Sequence, residues 1–227
     1  MAGSTIVVGG DGRYFSKEAI EKIIQIAAGN RVRKLIIGQS KFPSLAPSRA
    51  ALLRKSQEWT VIFRGNVQFS GEILGRFWSS ILDGILSTPA LSAIVRKQQA
   101  LGGILLTASH NPGGIDADFG IKYNCANGGP APESITNKIF EISKEIGEFK
   151  SVQTLKDISL EKLGATEDFD IEGKAFSVEI VDSTNEYFEL MKQIFDFELI
   201  SNYLKSTQKV NEKLSPLKPD RLYDGGY

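Results

Sequence analysis

Short apolar runs alternate with longer segments of helical spacing along the first half of the chain. The runs at 6–8, 35–37 and 104–106 are rich in Ile, Val and Leu and lie beside glycine or polar residues, which predicts buried strands. The segments between them carry apolar residues three and four positions apart, which predicts helices with one buried face. These positions are Ile20, Ile23, Ile24 and Ala27 in the first helix, and Leu91, Ile94 and Val95 in the second. The β-α-β-α-β order indicates an α/β domain, a layered sheet flanked by helices, with parallel strands.

Polar and glycine residues mark the ends of these two helices. Ser16 is the predicted N-cap of the first helix, and Gly29-Asn30 its end. Thr88 is the predicted N-cap of the second helix, with Pro89 at its first helical position, and Gly102-Gly103 closes it. The boundaries therefore agree with the apolar periodicity.

The second half of the chain is less regular. Residues 120–124 predict a strand that returns from the loop after 106, which makes the sheet mixed, and Pro132 begins a further helix. Residues 150–175 are polar and predict a surface stretch, and 178–181 predict a short strand or a linker. The helix after Pro132 has an apolar face formed by Ile135, Ile139, Ile142 and Ile146. A last helix, capped by Asp182 or Ser183, has an apolar face formed by Tyr187, Leu190, Met191 and Ile194.

Two segments do not fit a compact α/β domain. Residues 40–82 separate elements that are usually joined by roughly 2–6 residues, and they show no clean period. Residues 205–227 are polar, contain proline, and complete no predicted element. We therefore predict an insertion at 40–82 and an aberrant, disordered tail at 205–227.

Composition narrows the function classes. Among 227 residues, 41% are hydrophobic, so a core can form, and the 27 basic residues equal the 27 acidic residues. This balance gives no reason to expect a nucleic acid or an anionic membrane as partner. Cys125 is the single cysteine, which excludes an internal disulfide and fits a reducing compartment. The N-terminus lacks the basic and apolar regions of a signal peptide, so we expect a cytoplasmic protein.

The loop after the third strand carries candidate chemistry. It reads TASHNPGG at 107–114 and contains Ser109 beside His110, the only histidine. Lys122 lies on the returning strand, so it can come close to Ser109, and Arg13 follows the glycine-rich turn after the first strand. Ligands of α/β sheets bind at the carboxyl ends of the strands. A serine between two cations there suits phosphoryl transfer, which depends on positioning and charge balance.

Each of these residues also has an ordinary structural interpretation. A Ser-His pair is common in polar turns, glycine-rich turns follow many non-catalytic strands, and Lys122 alone would be a solvated strand residue. A serine hydrolase is disfavoured because Ser109 lacks the G-x-S-x-G pattern. The constellation, not any single residue, therefore carries the prediction.

The chain resembles the α-D-phosphohexomutase superfamily, and within it the eukaryotic phosphoglucomutase branch. The resemblance rests on TASHNPGG at 107–114, DFGIKYN at 118–124 and NGGPAPESIT at 127–136. Supporting matches are VVGGDGRYFSKEAI at 7–20 and VEIVDSTNEYFELMKQIFDF at 178–197. The resemblance covers most of 5–39 and 84–204, and it implies the layered fold of the family's first domain.

The resemblance also implies an activity and its site. Ser109 would be a phosphoserine that interconverts glucose 1-phosphate and glucose 6-phosphate through glucose 1,6-bisphosphate. His110 and Lys122 would support proton transfer and charge balance at that serine. The substrate and its phosphate would be bound by Arg13, Thr107 and Asn111. Mg²⁺ would be held partly by an oxygen of the Ser109 phosphate, and full-length members imply a monomer that acts on hexose phosphates.

The departures from the family are as informative as the matches. Family members have four domains, whereas the sequence predicts domain one at 1–177, incomplete at its N-terminus, and only the start of domain two at 178–204. The loop that supplies the family's metal carboxylates is missing, and Asp116 and Asp118 do not replace it. In the family, KLIIGQ at 34–39 runs almost directly into GILSTP at 84–89, so 40–82 interrupts this join. We therefore expect the isolated chain to be inactive as a mutase.

Three interpretations of this organisation remain open from the sequence. The chain can be an incomplete or misassembled phosphoglucomutase whose 40–82 segment is translated intron or alternative exon. It can instead be a truncated product with a non-catalytic binding or structural role. The insertion can also be a lid or docking loop, since it carries a net charge of +4, from six basic and two acidic residues, and both tryptophans.

Overall fold

The structure is a computed structural model that describes residues 1–39, 84–155, 158, 160 and 162–211. The predicted insertion at 40–82 therefore lies outside the described residues. The strands of the described part are β1 (Thr5–Gly10), β2 (Lys34–Gln39), β3 (Gly102–Leu106), β4 (Ile121–Cys125), β5 (Thr166–Ile171) and β6 (Lys174–Asp182). Its helices are α1 (Ser16–Gly29), α2 (Thr88–Lys97), α3 (Glu133–Glu145), α4 (Ser183–Ile194) and α5 (Phe197–Asn211).

The six strands form one mixed sheet in the order β4-β3-β1-β2-β6-β5. The four central strands are parallel, since β1 pairs in parallel with both β2 and β3, and β2 pairs in parallel with β6. The two edge strands, β4 and β5, run antiparallel to their neighbours. The layered mixed sheet predicted from the sequence is therefore confirmed.

Both faces of the central strands are buried. Along β1, Ile6 and Val8 belong to one hydrophobic cluster and Val7 to another, because successive strand side chains point to opposite faces. Helix α1 packs on the first face with Ile20 and Ile24. The second face is covered by α2, through residues that are almost completely buried: Ala90, Leu91, Ile94 and Val95. Runs that are apolar at every position, rather than alternating, are what such a doubly covered sheet requires.

The helix boundaries differ slightly from the sequence prediction. Helix α1 begins at Ser16 itself, with Phe15 as the flanking residue and no side-chain cap. Helix α2 is capped by Ser87, whose hydroxyl accepts from the Ala90 amide at 3.4 Å, and Thr88 is its first residue. Adjacent hydroxyl residues are both good caps, so their pattern does not decide which one is used.

The stretch at 150–175 is not simply surface. It contains β5 and the start of β6, which pair along Thr166–Ile171 and Lys174–Glu179. Leu155 and Leu160 are buried in the cluster on the α1 face. Strand β6 also pairs with β2 from Ser177 to Asp182. Residues 178–182, where the sequence predicts the start of domain two, therefore belong to the same six-stranded sheet as β1, β2 and β3.

The chain forms two compact units, which divide between Tyr187 and Phe188 within α4. In the second unit, the rings of Phe188 and Phe197 stack with centroids 6.3 Å apart.

Helix α5 continues to Asn211, so the first seven residues of the predicted tail are helical. The rest of that tail lies outside the described residues. Among the helices of the described residues, none combines the length and the apolar character that a membrane span requires.

Helix α3 forms where the sequence predicts it, from Glu133 to Glu145, but its apolar face is uncovered. Ile139, Ile142 and Ile146 are each about half exposed. The periodicity therefore predicted the helix correctly, although no described residue buries its apolar face fully.

The residues that flank the predicted insertion lie side by side. The Gly84 amide donates to Gln39 Oε1 at 3.1 Å, and the Gly10 amide donates to Gly84 O at 3.0 Å. The end of β2 and the approach to α2 are therefore adjacent in space. A connection of very few residues could span this gap, which is the join that the family resemblance implies.

We expect deletion of residues 40–83, with a one- or two-residue linker between Gln39 and Gly84, to leave cooperative unfolding intact and the melting temperature no lower. Shortening a connection reduces the entropy of closing it, while the described contacts of the sheet remain. Thermal unfolding followed by near-ultraviolet circular dichroism compares the deletion variant with the parent chain. Loss of the cooperative transition would show that the deleted residues support the core.

Candidate functional site

The candidate site lies where β1 and β3 end. These neighbouring strands are parallel, so the turn after Gly10 and the loop after Leu106 meet at the same edge of the sheet. The Asp11 amide donates to Leu106 O at 3.2 Å, which ties the two connections together. The loop closes as it enters β4, where the Thr107 amide donates to Gly120 O at 2.9 Å.

Ser109 and Lys122 meet in this loop. Lys122 Nζ donates to Ser109 Oγ at 2.6 Å, and both residues are exposed. The antiparallel pairing of β3 with β4 brings the lysine back beside the loop, as the position of the returning strand predicts. An ammonium at this distance can balance the charge of a phosphoryl group on the serine and can protonate its oxygen.

Ser109 has an uncommon backbone conformation, with a φ of 57°. A residue other than glycine adopts this left-handed region at a cost of about 1–2 kcal/mol, because its Cβ crowds the following carbonyl. Such a conformation persists where surrounding contacts fix it. The hydrogen bonds of Thr107 and Arg13 supply such contacts.

Arg13 is directed at the main chain of the loop. Its Nη1 donates to the carbonyl oxygens of Asn111, Pro112 and Asp118 at 2.9–3.1 Å, and Nη2 donates to Ser109 O at 3.0 Å. The Arg13 side chain is only 7% exposed. The sequence predicts that this arginine binds a phosphate, whereas its observed partners are carbonyl groups of the serine loop.

Asp11 is a site residue that the sequence analysis missed. One of its oxygens, Oδ2, accepts from Arg13 Nε at 3.1 Å and from Thr107 Oγ1 at 2.6 Å. Thr107 Oγ1 in turn accepts the Ser109 amide at 3.0 Å. The available signal was an acidic residue in the same glycine-rich turn as Arg13, at the carboxyl end of a buried strand.

His110 and Asn111 lie on the exposed side of the loop. Neither side chain makes a hydrogen bond with the described part of the chain, although the Asn111 carbonyl accepts from Arg13. Their polar groups therefore face solvent next to Ser109. The structure brings all six predicted site residues to one edge of the sheet. The side chains of Thr107 and Arg13 form hydrogen bonds with the main chain of the loop. The other four residues are exposed: Ser109, His110, Asn111 and Lys122.

The described residues do not form a Mg²⁺ site by themselves. They contain no cluster of three or more histidine, cysteine or acidic side chains that could hold a metal. Asp11 is engaged by the Arg13 guanidinium, and a cation placed beside that group would be repelled. Asp116 and Asp118 are exposed in the loop and converge with no further acidic residue of the described part.

The class of domain is thus an α/β/α sheet in which the loop between β3 and β4 presents a serine paired with a lysine. Comparison with known protein families identifies the same class of domain. The model of the phosphoglucomutase/phosphomannomutase α/β/α domain I matches residues 1–55 and 78–150. The chain therefore belongs to the phosphoglucomutase/phosphomannomutase family. The match passes over residues 56–77, which lie inside the predicted insertion.

Individual relatives agree with this family. Phosphoglucomutase 1 of Drosophila melanogaster is 44% identical over 211 residues, which are 92% of this chain and 30% of the relative. Phosphoglucomutase-1 of Homo sapiens is 42% identical over 216 residues, which are 94% of this chain and 30% of the relative. The chain thus spans about 30% of the length of these relatives.

A solved structure resembles the fold as well. The open form of the Paramecium exocytosis-sensitive phosphoprotein pp63/parafusin, a phosphoglucomutase, superposes with a TM-score of 0.64 at 32% sequence identity. The superposition covers 87% of this chain and 29% of that protein. Its agreement supports the layered sheet as the family fold.

Proposed function

We propose that Ser109 is the phosphoryl carrier of a phosphoglucomutase, which interconverts glucose 1-phosphate and glucose 6-phosphate through glucose 1,6-bisphosphate. The observation that carries the proposal is the contact of Lys122 Nζ with Ser109 Oγ at 2.6 Å, on an exposed loop at the carboxyl ends of β1 and β3. The phosphoglucomutase relatives supply the substrate class.

The forward reaction begins with a phosphoryl group on Ser109. The 6-hydroxyl oxygen of glucose 1-phosphate attacks the phosphorus, the new P–O bond forms, and the bond from phosphorus to Ser109 Oγ breaks. Lys122 donates a proton to the departing Oγ, and the His110 imidazole accepts the proton of the attacking hydroxyl. The bisphosphate then turns over and returns its 1-phosphoryl group to Ser109, which leaves glucose 6-phosphate.

The remaining predicted groups fit around this step. We assign the exposed side chain of Asn111 to the incoming sugar phosphate, since it faces solvent beside the serine. Thr107 and Arg13 act on the loop itself. Mg²⁺ and glucose 1,6-bisphosphate are the cofactor and the activator of the proposed reaction, and the described residues would contribute to the metal only a phosphate oxygen on Ser109.

The decisive experiment is transfer to Ser109 in the full chain. We expect the purified protein, incubated with excess glucose 1,6-bisphosphate and Mg²⁺, to gain the mass of one phosphoryl group, with peptide mapping to Ser109. Ser109→Ala is the matched control and should gain none. A wild-type chain that gains no phosphoryl group, or gains it on another residue, would contradict the proposal.

The same purified protein can be tested separately for phosphoryl transfer to Ser109 and for steady-state conversion of glucose 1-phosphate. Because the chain spans about 30% of its relatives, we propose that it supplies the carrier serine but little steady-state conversion of glucose 1-phosphate. A folded chain without phosphoryl uptake, but with a specific protein partner in pull-down, would instead favour the non-catalytic binding role.

A further inference from the structure

We infer that Asp11 is the positioning residue that holds Ser109 in its left-handed conformation, acting through Thr107 on one side of the serine and through Arg13 on the other. The geometry stands on its own, and its catalytic meaning rests on the proposed function of Ser109. The described hydrogen bonds of the Asp11 side chain are to Arg13 and Thr107 and not to Ser109, so its effect on the serine passes through these two neighbours.

The first connection fixes the amide of Ser109. The Ser109 N–H donates to Thr107 Oγ1 at 3.0 Å, and Thr107 Oγ1 lies 2.6 Å from Asp11 Oδ2. An ionised carboxylate only accepts hydrogen bonds, and a hydroxyl has a single proton. The Thr107 proton must therefore point at Asp11, which turns the lone pairs of the hydroxyl toward the Ser109 amide. Asp11 thus orients the Thr107 hydroxyl as an acceptor for the Ser109 amide.

The second connection fixes the carbonyl of Ser109. Arg13 Nη2 donates to Ser109 O at 3.0 Å, while Arg13 Nε donates to Asp11 Oδ2 at 3.1 Å. The guanidinium is a rigid planar fork, so holding its Nε edge also sets the direction of both Nη atoms. With the Arg13 side chain 7% exposed, the fork has little room to reorient.

The two connections converge on one carboxylate oxygen. Both peptide groups of Ser109 are held, at the residue whose φ of 57° is otherwise unfavourable. This conformation leaves Oγ beside Lys122 Nζ. Phosphoryl transfer depends strongly on such positioning. Arg13 therefore acts as a loop-positioning residue, because both of its Nη atoms already donate to loop carbonyls.

Hydrogen exchange of the Ser109 amide tests this arrangement without any phosphoryl transfer. In the full chain, Asp11→Ala and Thr107→Val should each accelerate exchange of that amide by about tenfold, the effect of one net hydrogen bond. Thr107→Ser keeps the hydroxyl and should restore protection. Asp11→Asn keeps an acceptor oxygen but loses the charge, so it should give a smaller acceleration and covers the case in which Asp11→Ala fails to fold.

The matched control is Asp116→Ala, which removes an exposed carboxylate from the same loop. The Asp116 side chain makes no hydrogen bond within the described residues, so this variant should leave the Ser109 amide as protected as in the parent chain. Unchanged protection in folded Asp11→Asn and Thr107→Val would overturn the positioning role.

Kinetics of phosphoryl uptake distinguish positioning from direct phosphate binding. Arg13→Lys and Asp11→Asn should lower the maximal rate by about tenfold to a hundredfold, with the half-saturating concentration of glucose 1,6-bisphosphate unchanged. A raised half-saturation with an unchanged maximal rate would overturn the assignment by making Arg13 a phosphate ligand. If exchange responds as expected but the parent chain takes up no phosphoryl group, the proposed function fails and the positioning role stands.

Discussion

Replacing Lys122 by methionine is expected to slow phosphoryl transfer at Ser109 by about a hundredfold to a thousandfold, the effect of removing one preorganised donor from a reacting oxygen. Lys122 Nζ lies 2.6 Å from Ser109 Oγ, and methionine keeps an unbranched stem without the charge. The departing Oγ would lose its proton donor, and the phosphoryl group would lose an adjacent cation. Quenched time courses, read by intact mass at saturating glucose 1,6-bisphosphate, measure the rate.

The controls for this prediction separate local charge from net charge. Lys138→Met removes an exposed lysine from α3 and should leave the rate unchanged. Lys122→Arg keeps the charge and should retain more of the rate than Lys122→Met. Equal rates in the parent chain and in Lys122→Met would remove the lysine from the mechanism.

Phosphoserine incorporated at position 109 gives a second measurement that needs no transfer. A neighbouring ammonium favours the doubly charged phosphate, so Lys122 should lower the second pKa of the phosphoserine. Lys122→Met should raise that pKa, and a ³¹P titration reports it directly. A phosphoserine pKa that is the same in both chains would show that the ammonium does not face the phosphate.

The central sheet was predictable because its sequence signals are local. The strands β1, β2 and β3 are apolar at consecutive positions, and such runs are typical of parallel strands covered on both faces. The helices α1 and α2 carry apolar residues at helical spacing, which fixes the face that packs on the sheet. For each of these elements, a few neighbouring residues are therefore enough to predict which of its faces are buried.

The edge of the sheet could not be predicted in the same way. Strand β5 reads TEDFDI, in which three acidic residues surround a single phenylalanine. Its backbone groups find their partners in β6, and Phe169 lies opposite Phe176 in that ladder. A half-exposed edge strand therefore looks polar in sequence, since pairing with a distant segment, rather than composition, places it in the sheet.

In the candidate site, too, some features could be predicted from the sequence and others could not. The proximity of Ser109 and Lys122 follows from one strand that enters the loop and another that returns from it, which sequence order alone suggests. The partners of Arg13 are main-chain carbonyls, and a carbonyl carries no mark in the sequence. Asp11 was missed for a related reason, because its role depends on the convergence of two connections that are separated by 96 residues.

Replacing Gly120 by alanine is expected to destabilise the protein by about 1–3 kcal/mol and to impair the serine loop as well. A Cβ at this position would lie 2.5 Å from Thr107 O, and the Thr107 amide already donates to Gly120 O at 2.9 Å. The obstacle is backbone, so no change of rotamer relieves it. The strand ends must separate, and Thr107 would move away from the Ser109 amide that it holds.

Two measurements on Gly120→Ala distinguish this chain of effects from simple loss of stability. The urea midpoint should fall, and the Ser109 amide should exchange faster even in conditions where the variant is fully folded. Gly147→Ala is the matched control, because a Cβ there would meet no atom within 4 Å. A lower midpoint with normal protection of the Ser109 amide would mean that the clash is absorbed in β4 rather than at Thr107. The close approach of Gly120 and Thr107 would then serve the sheet, and the conformation of the serine would depend on Asp11 and its two partners alone.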